Sequence, residues 1–436
     1  MADMNQLQAI VYDQKRGVPA GLFSCCSANG QVLRAVFERC ARANTLALVE
    51  ATANQVDQNG GYTGMTPADF YAFAHQIARE AGLAAERLIL GGDHLGPLTW
   101  RGLDETEAMR NAETLVAVYV RAGFTKIHLD TSMRLASDDP RVRLPDDIIA
   151  LRGARLCAAA EMAFRERGSG GEPPVYIIGS EVPIPGGEQA GDSAMSVTDP
   201  ESCRATLAAY QTAFGALGLA GAWERVIALV VQPGVEFGCR EVIDYDREKA
   251  RRLTEAMKAY PNLVLEGHST DYQPRENLRY MVEDGIAILK VGPALTFGLR
   301  EALFALEHIE REVLPDSAGL SFFRSKLDRA MLASPAAWEK HCGADSADAE
   351  ALRINRLFGY SDRTRYYLPD RDVKAAAGRL IENLRQVRIP LVLLSQYLPG
   401  QYAKVRSGIL RPDPEALLRD RIGDYVDDYL YAIGAL

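Results

Sequence analysis

Two short motifs hold residue types that could do chemistry together. Asp93 and His94 are adjacent in GGDHLGP (91–97), and Glu266 and His268 are one residue apart in LEGHSTD (265–271). A carboxylate can move a proton. A neutral imidazole can hold a divalent cation, and a zinc-like ion accepts histidine together with carboxylate and amide oxygens. Each motif also has a plain structural use, as an Asp–His hydrogen bond or a helix cap. Glu181, in SEVPIPGG (180–187), could be a metal ligand, an acid/base, or a carboxylate satisfied by loop amides. The Gly186-Gly187 pair beside it offers a hinge for a loop closing over substrate. Lys290, in AILKVGP (287–293), could form a Schiff base or serve as an ion-pair partner inside the fold. No linear metal-ligand motif is present.

These residues stand at the ends of apolar runs. Short β-branched stretches recur at 20–25, 45–50, 88–92, 126–129, 175–179, 226–231, 263–265 and 287–291, with helical periodicity between them. Eight strand–helix alternations without a Gly-rich dinucleotide fingerprint predict a (β/α)8 TIM barrel rather than a doubly wound open sheet. Such a barrel places its chemistry at the C-terminal strand ends. Those ends carry Ser24–Ser27; Glu50, Asn54 and Gln55; Asp93 and His94; His128 and Asp130; Glu181; Gln232; Glu266 and His268; and Lys290. Adjacent strand residues point to opposite sides, so Asp93 and His94 are expected to serve different partners. The chain has six histidines; His94, His128 and His268 fall at strand ends, while His75, His308 and His341 fall in helical stretches or their links.

The loops after the last two strands are this fold's usual phosphate site, and here they offer Gly267, Ser269, Thr270 and Gly292. No GxxxxGK[ST] loop occurs, so a nucleotide-binding P-loop is not supported. Beyond residue 305 the pattern is helical. The chain therefore divides into a barrel over 1–305 and a C-terminal helical extension over 306–436, packed on the barrel. Within the extension, Arg363 and Arg365 alternate with tyrosines and could reach over the barrel mouth to a phosphate. Tyr425, Tyr429 and Tyr431 read as helix packing or an interface.

Composition narrows the class. With 49 Lys+Arg against 58 Asp+Glu, the 436-residue chain carries a formal charge of −9, which disfavours nucleic acid. The N-terminus lacks a signal-peptide core, and no apolar run is long enough for a membrane helix. Seven scattered cysteines without a CxxC pair read as buried free thiols in a reducing cytoplasm.

Long blocks of the chain, among them FSCCSAN (23–29), EATANQVDQNGGYTGMTPADF (50–70), LGGDHLGP (90–97), GHSTDYQ (267–273) and ILKVGPALTFGLREALFAL (288–306), resemble the Z-type subunit family of D-tagatose-1,6-bisphosphate aldolase. That family is similar to the class II, zinc-dependent aldolases. The resemblance implies retro-aldol cleavage of a phosphorylated ketohexose, with Asp93 as acid/base, His94 as a zinc ligand and Glu181 before the Gly-Gly loop. Asp130 is a further catalytic candidate; Ser27 and Asn54 are further substrate-binding candidates. The second zinc histidine of catalytic aldolases falls on Gln232, and the third near Glu266 or His268. A neutral Gln at a ligand position implies an altered or lost metal site. It fits the description of Z subunits as non-catalytic partners that stabilise a separate catalytic aldolase subunit, and the chain is expected to be oligomeric. Two alternatives stand beside the aldolase component: a metal-dependent 4-epimerase interconverting D-tagatose 6-phosphate and D-fructose 6-phosphate, and a non-catalytic stabilising subunit.

Overall fold

The computed structural model describes residues 4–168, 170–179, 196–342 and 348–436. Eight parallel strands close into a barrel: β1 (Leu22–Cys25), β2 (Ala47–Thr52), β3 (Leu88–Leu95), β4 (Lys126–Leu129), β5 (Val175–Ile178), β6 (Val226–Val231), β9 (Val264–Gly267) and β10 (Ile286–Val291). The expected TIM barrel is therefore present. A two-stranded hairpin, β7 (Glu236–Phe237) and β8 (Val242–Ile243), intervenes after β6. It is too short to show as an apolar run.

Barrel closure sorts each strand by its period of two. Low in the barrel, Leu22, Leu48, Ile89, Val264 and Ile288 form an apolar plug with Leu7 and Val11 of the helix Gln6–Lys15. Two residues further along the same strands, the inward positions turn polar: Ser24, Glu50, Glu266 and Lys290. All four are buried. The site thus rests on a dry floor.

Helices follow most strands and begin on side-chain caps near the barrel mouth. Asn29 caps Gly30–Arg42 and Asp104 caps Glu105–Ala122, each accepting from free backbone N–H groups of the first turn. The helix Pro293–Val313 runs through residue 305, so no chain break falls at the boundary drawn from sequence. The final helix, Pro414–Ala432, packs against Gly30–Arg42, Arg275–Glu283 and Pro293–Val313. It thereby occupies the outer ring between the helix after β1 and the helix after β9. Ion pairs of the buried Arg39 lock it there, to the buried Asp420 at 2.7 Å and to the half-buried Asp427 at 2.8 Å.

One expectation is corrected. Cys239 and Cys342, 103 residues apart, are joined as a disulfide with a Cα–Cα separation of 5.4 Å. The fold brings the β7–β8 hairpin against the C-terminal extension, a proximity that sequence spacing does not reveal. Cys25, Cys26, Cys40, Cys157 and Cys203 form no disulfide among the described residues. Among the described residues, no helix is long and apolar enough to cross a membrane.

Candidate metal centre at the barrel mouth

The end of β3 departs from simple alternation. Its pairing with β4 slips between Gly92 and Leu95, and His94 adopts φ 49°. Such a bulge re-aims side chains. Asp93 and His94 consequently both reach the barrel axis instead of pointing apart, which corrects the expectation from strand alternation. One ligand atom from each of Asp93, His94, His128 and His268 lies within 4.8 Å of the others, and all four residues are buried.

Each imidazole is oriented by a carboxylate. His94 Nδ1 lies 2.8 Å from Asp130 Oδ2, His128 Nδ1 lies 2.9 Å from Asp93 Oδ1, and His268 Nε2 lies 2.9 Å from Glu266 Oε1. This leaves one nitrogen of each ring for another partner, the usual arrangement around a ligated cation. His128 Nε2 is buried without any hydrogen-bond partner. A buried polar atom left bare is costly, and a cation would satisfy it.

Below the cluster, Lys126 Nζ bridges Glu50 and Glu266, each at 2.7 Å. Lys290 Nζ lies 2.9 Å from both Glu50 and Asp93. The four carboxylates of Glu50, Asp93, Asp130 and Glu266 face two ammoniums. With the three imidazoles neutral, as ligands must be, two negative charges remain, the amount a divalent cation cancels. The donor set therefore fits a divalent metal.

The local electrostatics favour ionised carboxylates, and Asp93 and Asp130 raise His94 against the effect of burial. Burial would raise Asp93, but His94, Lys290 and the His128 hydrogen bond outweigh it and hold the carboxyl well below its usual range. Burial likewise opposes ionisation of Asp130, yet its bond to His94 brings it down to about 2. Burial pushes His268 down to about 4 despite Glu266, so its ring is neutral at pH 7, the form in which an imidazole ligates a cation.

The remaining sequence candidates are placed differently. Glu266 belongs to the floor, held by Lys126 and His268. Gln232 turns into its own loop, where Oε1 accepts from the N–H groups of Gly234 and Val235 at 2.8 and 3.0 Å. Glu181 and the Gly186-Gly187 pair lie outside the described residues. Asn54, Ser269, Gly292 and Arg365 line the cleft above the cluster. Ser27 lines an adjoining chamber, and its Oγ accepts from the Asn29 N–H. Gly267 packs closely on Ile286, and Thr270 Oγ1 donates to the Lys290 carbonyl at 2.7 Å. The Gly292 N–H, expected to be free for an anion, donates to Asp271 Oδ1 at 3.0 Å. Arg363 is buried and reaches the Tyr366 hydroxyl, while Arg365 contacts the Tyr366 ring at 4.6 Å.

Sequence reasoning assigned no ligand role to His128 and did not single out Lys126. The signal was the KIHL run, in which both residues are inward at a spacing of two. Cys26, in the cleft at 3.7 Å from Asp93 Oδ2, carried no comparable signal.

A closed parallel barrel with a buried Asp/His cluster at its strand ends defines this chain as a (β/α)8-barrel protein with a candidate metal centre where that fold places chemistry. Within that class, the chain belongs to the D-tagatose-1,6-bisphosphate aldolase subunit GatZ/KbaZ-like family, whose model matches residues 7–434. It is similar to a probable tagatose 6 phosphate kinase from Sinorhizobium meliloti 1021, at 43% identity and a TM-score of 0.85, over 94% of this chain and 100% of that one. Two remoter structures are the YdjI aldolase from Escherichia coli K12 and a fructose-bisphosphate aldolase from Campylobacter jejuni. The first is 12% identical over 86% of this chain and 97% of its own, with a TM-score of 0.41. The second is 14% identical over 87% and 94%, also with a TM-score of 0.41.

Proposed function

We propose that this chain carries out metal-dependent retro-aldol chemistry on a phosphorylated ketohexose, as a tagatose-bisphosphate aldolase component in the cytoplasm. The observation that carries the reading is the cluster of Asp93, His94, His128 and His268, complete within one chain. His94, His128 and His268 would hold the cation, with zinc the ion best suited to three imidazoles. When bound, it supplies positive charge against the negative charge developing on the substrate oxygens. Asp93, ionised and oriented by Lys290 and His128, takes the proton of the C4 hydroxyl as the C3–C4 bond breaks. The bonding electron pair remains on the C3 side as an enediolate. Asp130 holds the His94 ring in place, and Arg365 receives the phosphate.

Epimerisation is a second reading, favoured by a specific observation. Arg365 is the one guanidinium among the described residues lining the cleft, which matches one phosphate better than two. Residues 180–195 contain no Lys or Arg to add another. If the cleaved aldehyde stays bound, turns and re-adds, the same steps invert carbon 4 of a ketohexose monophosphate. The relative from S. meliloti is described as a probable tagatose 6 phosphate kinase, a description that names the same sugar phosphate but a different reaction.

The test uses the purified chain alone, with and without zinc, on tagatose 1,6-bisphosphate and on tagatose 6-phosphate. Triose phosphate release supports the aldolase. Conversion of tagatose 6-phosphate to fructose 6-phosphate without release supports the epimerase. Activity seen only after adding a separate aldolase subunit would support a stabilising partner and overturn both.

A further inference from the structure

The last helix of the chain reaches the metal centre from behind. Tyr429 Oη donates to the Thr270 carbonyl at 2.8 Å and lies 3.1 Å from Thr270 Oγ1. Thr270 Oγ1 in turn donates to the Lys290 carbonyl at 2.7 Å. Next in the chain, Asp271 Oδ1 accepts from Gly292 and Ala294 at 3.0 and 2.7 Å. These bonds tie the loop after β9 to the end of β10, two residues beyond His268.

That loop needs holding. Ser269 and Tyr272 both occupy the left-handed region, at φ 54° and 64°, although neither is glycine. Non-glycine residues persist there only where the surroundings over-determine the conformation. Tyr429 is buried, with Phe23 5.7 Å from its ring, so its hydroxyl has no solvent to turn to. Its ring supplies packing; its hydroxyl supplies a directional bond to one carbonyl of the strained loop.

We propose that Tyr429 is a positioning residue for the metal centre, setting the His268 loop through Thr270 so that the His268 imidazole meets the other ligands. The consequence for cation binding rests on the function proposed above, whereas the hold on the loop does not. Outer-shell partners of metal ligands typically account for ~10–100-fold in affinity, and Tyr429 is such a partner at one remove.

The test compares Tyr429→Phe with Tyr425→Phe in the full chain. Tyr425 lies on the same helix; its ring meets Tyr272 of the loop at 6.4 Å, which Phe retains, while the hydroxyl that is removed contacts Glu301. Amide hydrogen exchange across 266–272 is expected to accelerate in Tyr429→Phe alone, with thermal midpoints of the two variants alike. Titration with Zn2+ and Mn2+ is expected to show at least ~10-fold weaker binding in Tyr429→Phe only. Unchanged exchange in the loop would overturn the positioning role. Faster exchange with wild-type cation affinity would overturn its link to the metal. A wild-type chain that binds no cation would sink the metal reading, leaving the exchange result to decide the hold on the loop.

Discussion

Lys290 Nζ lies 2.9 Å from Asp93 Oδ1 and 2.9 Å from Glu50 Oε1, so one ammonium from β10 joins the Asp93 carboxylate at the barrel mouth to the floor of the barrel. This excludes the free amine that a Schiff base would require, since three carboxylates surround it and hold it protonated against the effect of burial. Removing one partner of a buried charge group leaves its counter-charges stranded, at a cost of about 3–5 kcal/mol. Lys290→Met should therefore lower stability by that order in urea unfolding. The double variant Lys290→Met/Glu50→Gln should recover part of the loss, and a double variant no more stable than the single would refute this coupling.

His128 should matter to cation binding as much as its better-signalled neighbours. His128→Ala and His94→Ala are each expected to lose at least ~10-fold in zinc affinity, measured by competition with a chelating dye. Gln232→Ala should bind zinc as the wild type does, because its side chain serves its own loop.

Arg365 should act on substrate and not on the metal. Arg365→Met is expected to raise KM at least tenfold for the phosphorylated sugar, with zinc affinity unchanged. Arg363→Met should instead lower the thermal midpoint, because Arg363 is buried against Tyr366.

Asp271 gives the stability a readable pH dependence. Burial pushes its carboxyl up to about 6, against the backbone bonds from Ala294 and Gly292. A carboxyl raised in the folded state stabilises that state fully below its unfolded value, and the contribution is lost as pH rises through about 6. Asp271→Asn keeps an acceptor for both N–H groups but cannot ionise. Its urea midpoint, relative to wild type, should rise between pH 4 and pH 7. A pH-independent difference would contradict the assignment.

The Cys239–Cys342 bond predicts a thiol count. Denatured without reductant, the chain should take up alkylating reagent at five cysteines; with reductant, at seven. Intact mass separates the two outcomes.

Asp93, His94 and His268 were legible in the sequence because they end apolar runs, and the barrel assigns chemistry to such ends. Their mutual geometry was not legible. The bulge that turns His94 beside Asp93 depends on β3 slipping against β4, whose paired residues lie about 35 positions apart in the sequence. Gln232 and Glu266 show the converse. The family resemblance placed both at ligand positions, yet Gln232 satisfies a local turn and Glu266 is held by Lys126, which arrives from β4. Tyr429 read only as helix packing or an interface, since nothing in a helical tail announces contact with a loop 159 residues earlier.

Local pattern therefore determined what this chain repeats: eight strands, a polar residue at nearly every strand end, and the residue types a divalent cation accepts. These follow from periodicity, which acts over a few neighbours. Tertiary structure alone decided which of those polar groups share one center, which are spent on the charged floor, and that the last helix completes the ring behind the His268 loop. Such choices depend on barrel closure and on burial, where a charge or a hydroxyl must find its partner wherever the fold brings one.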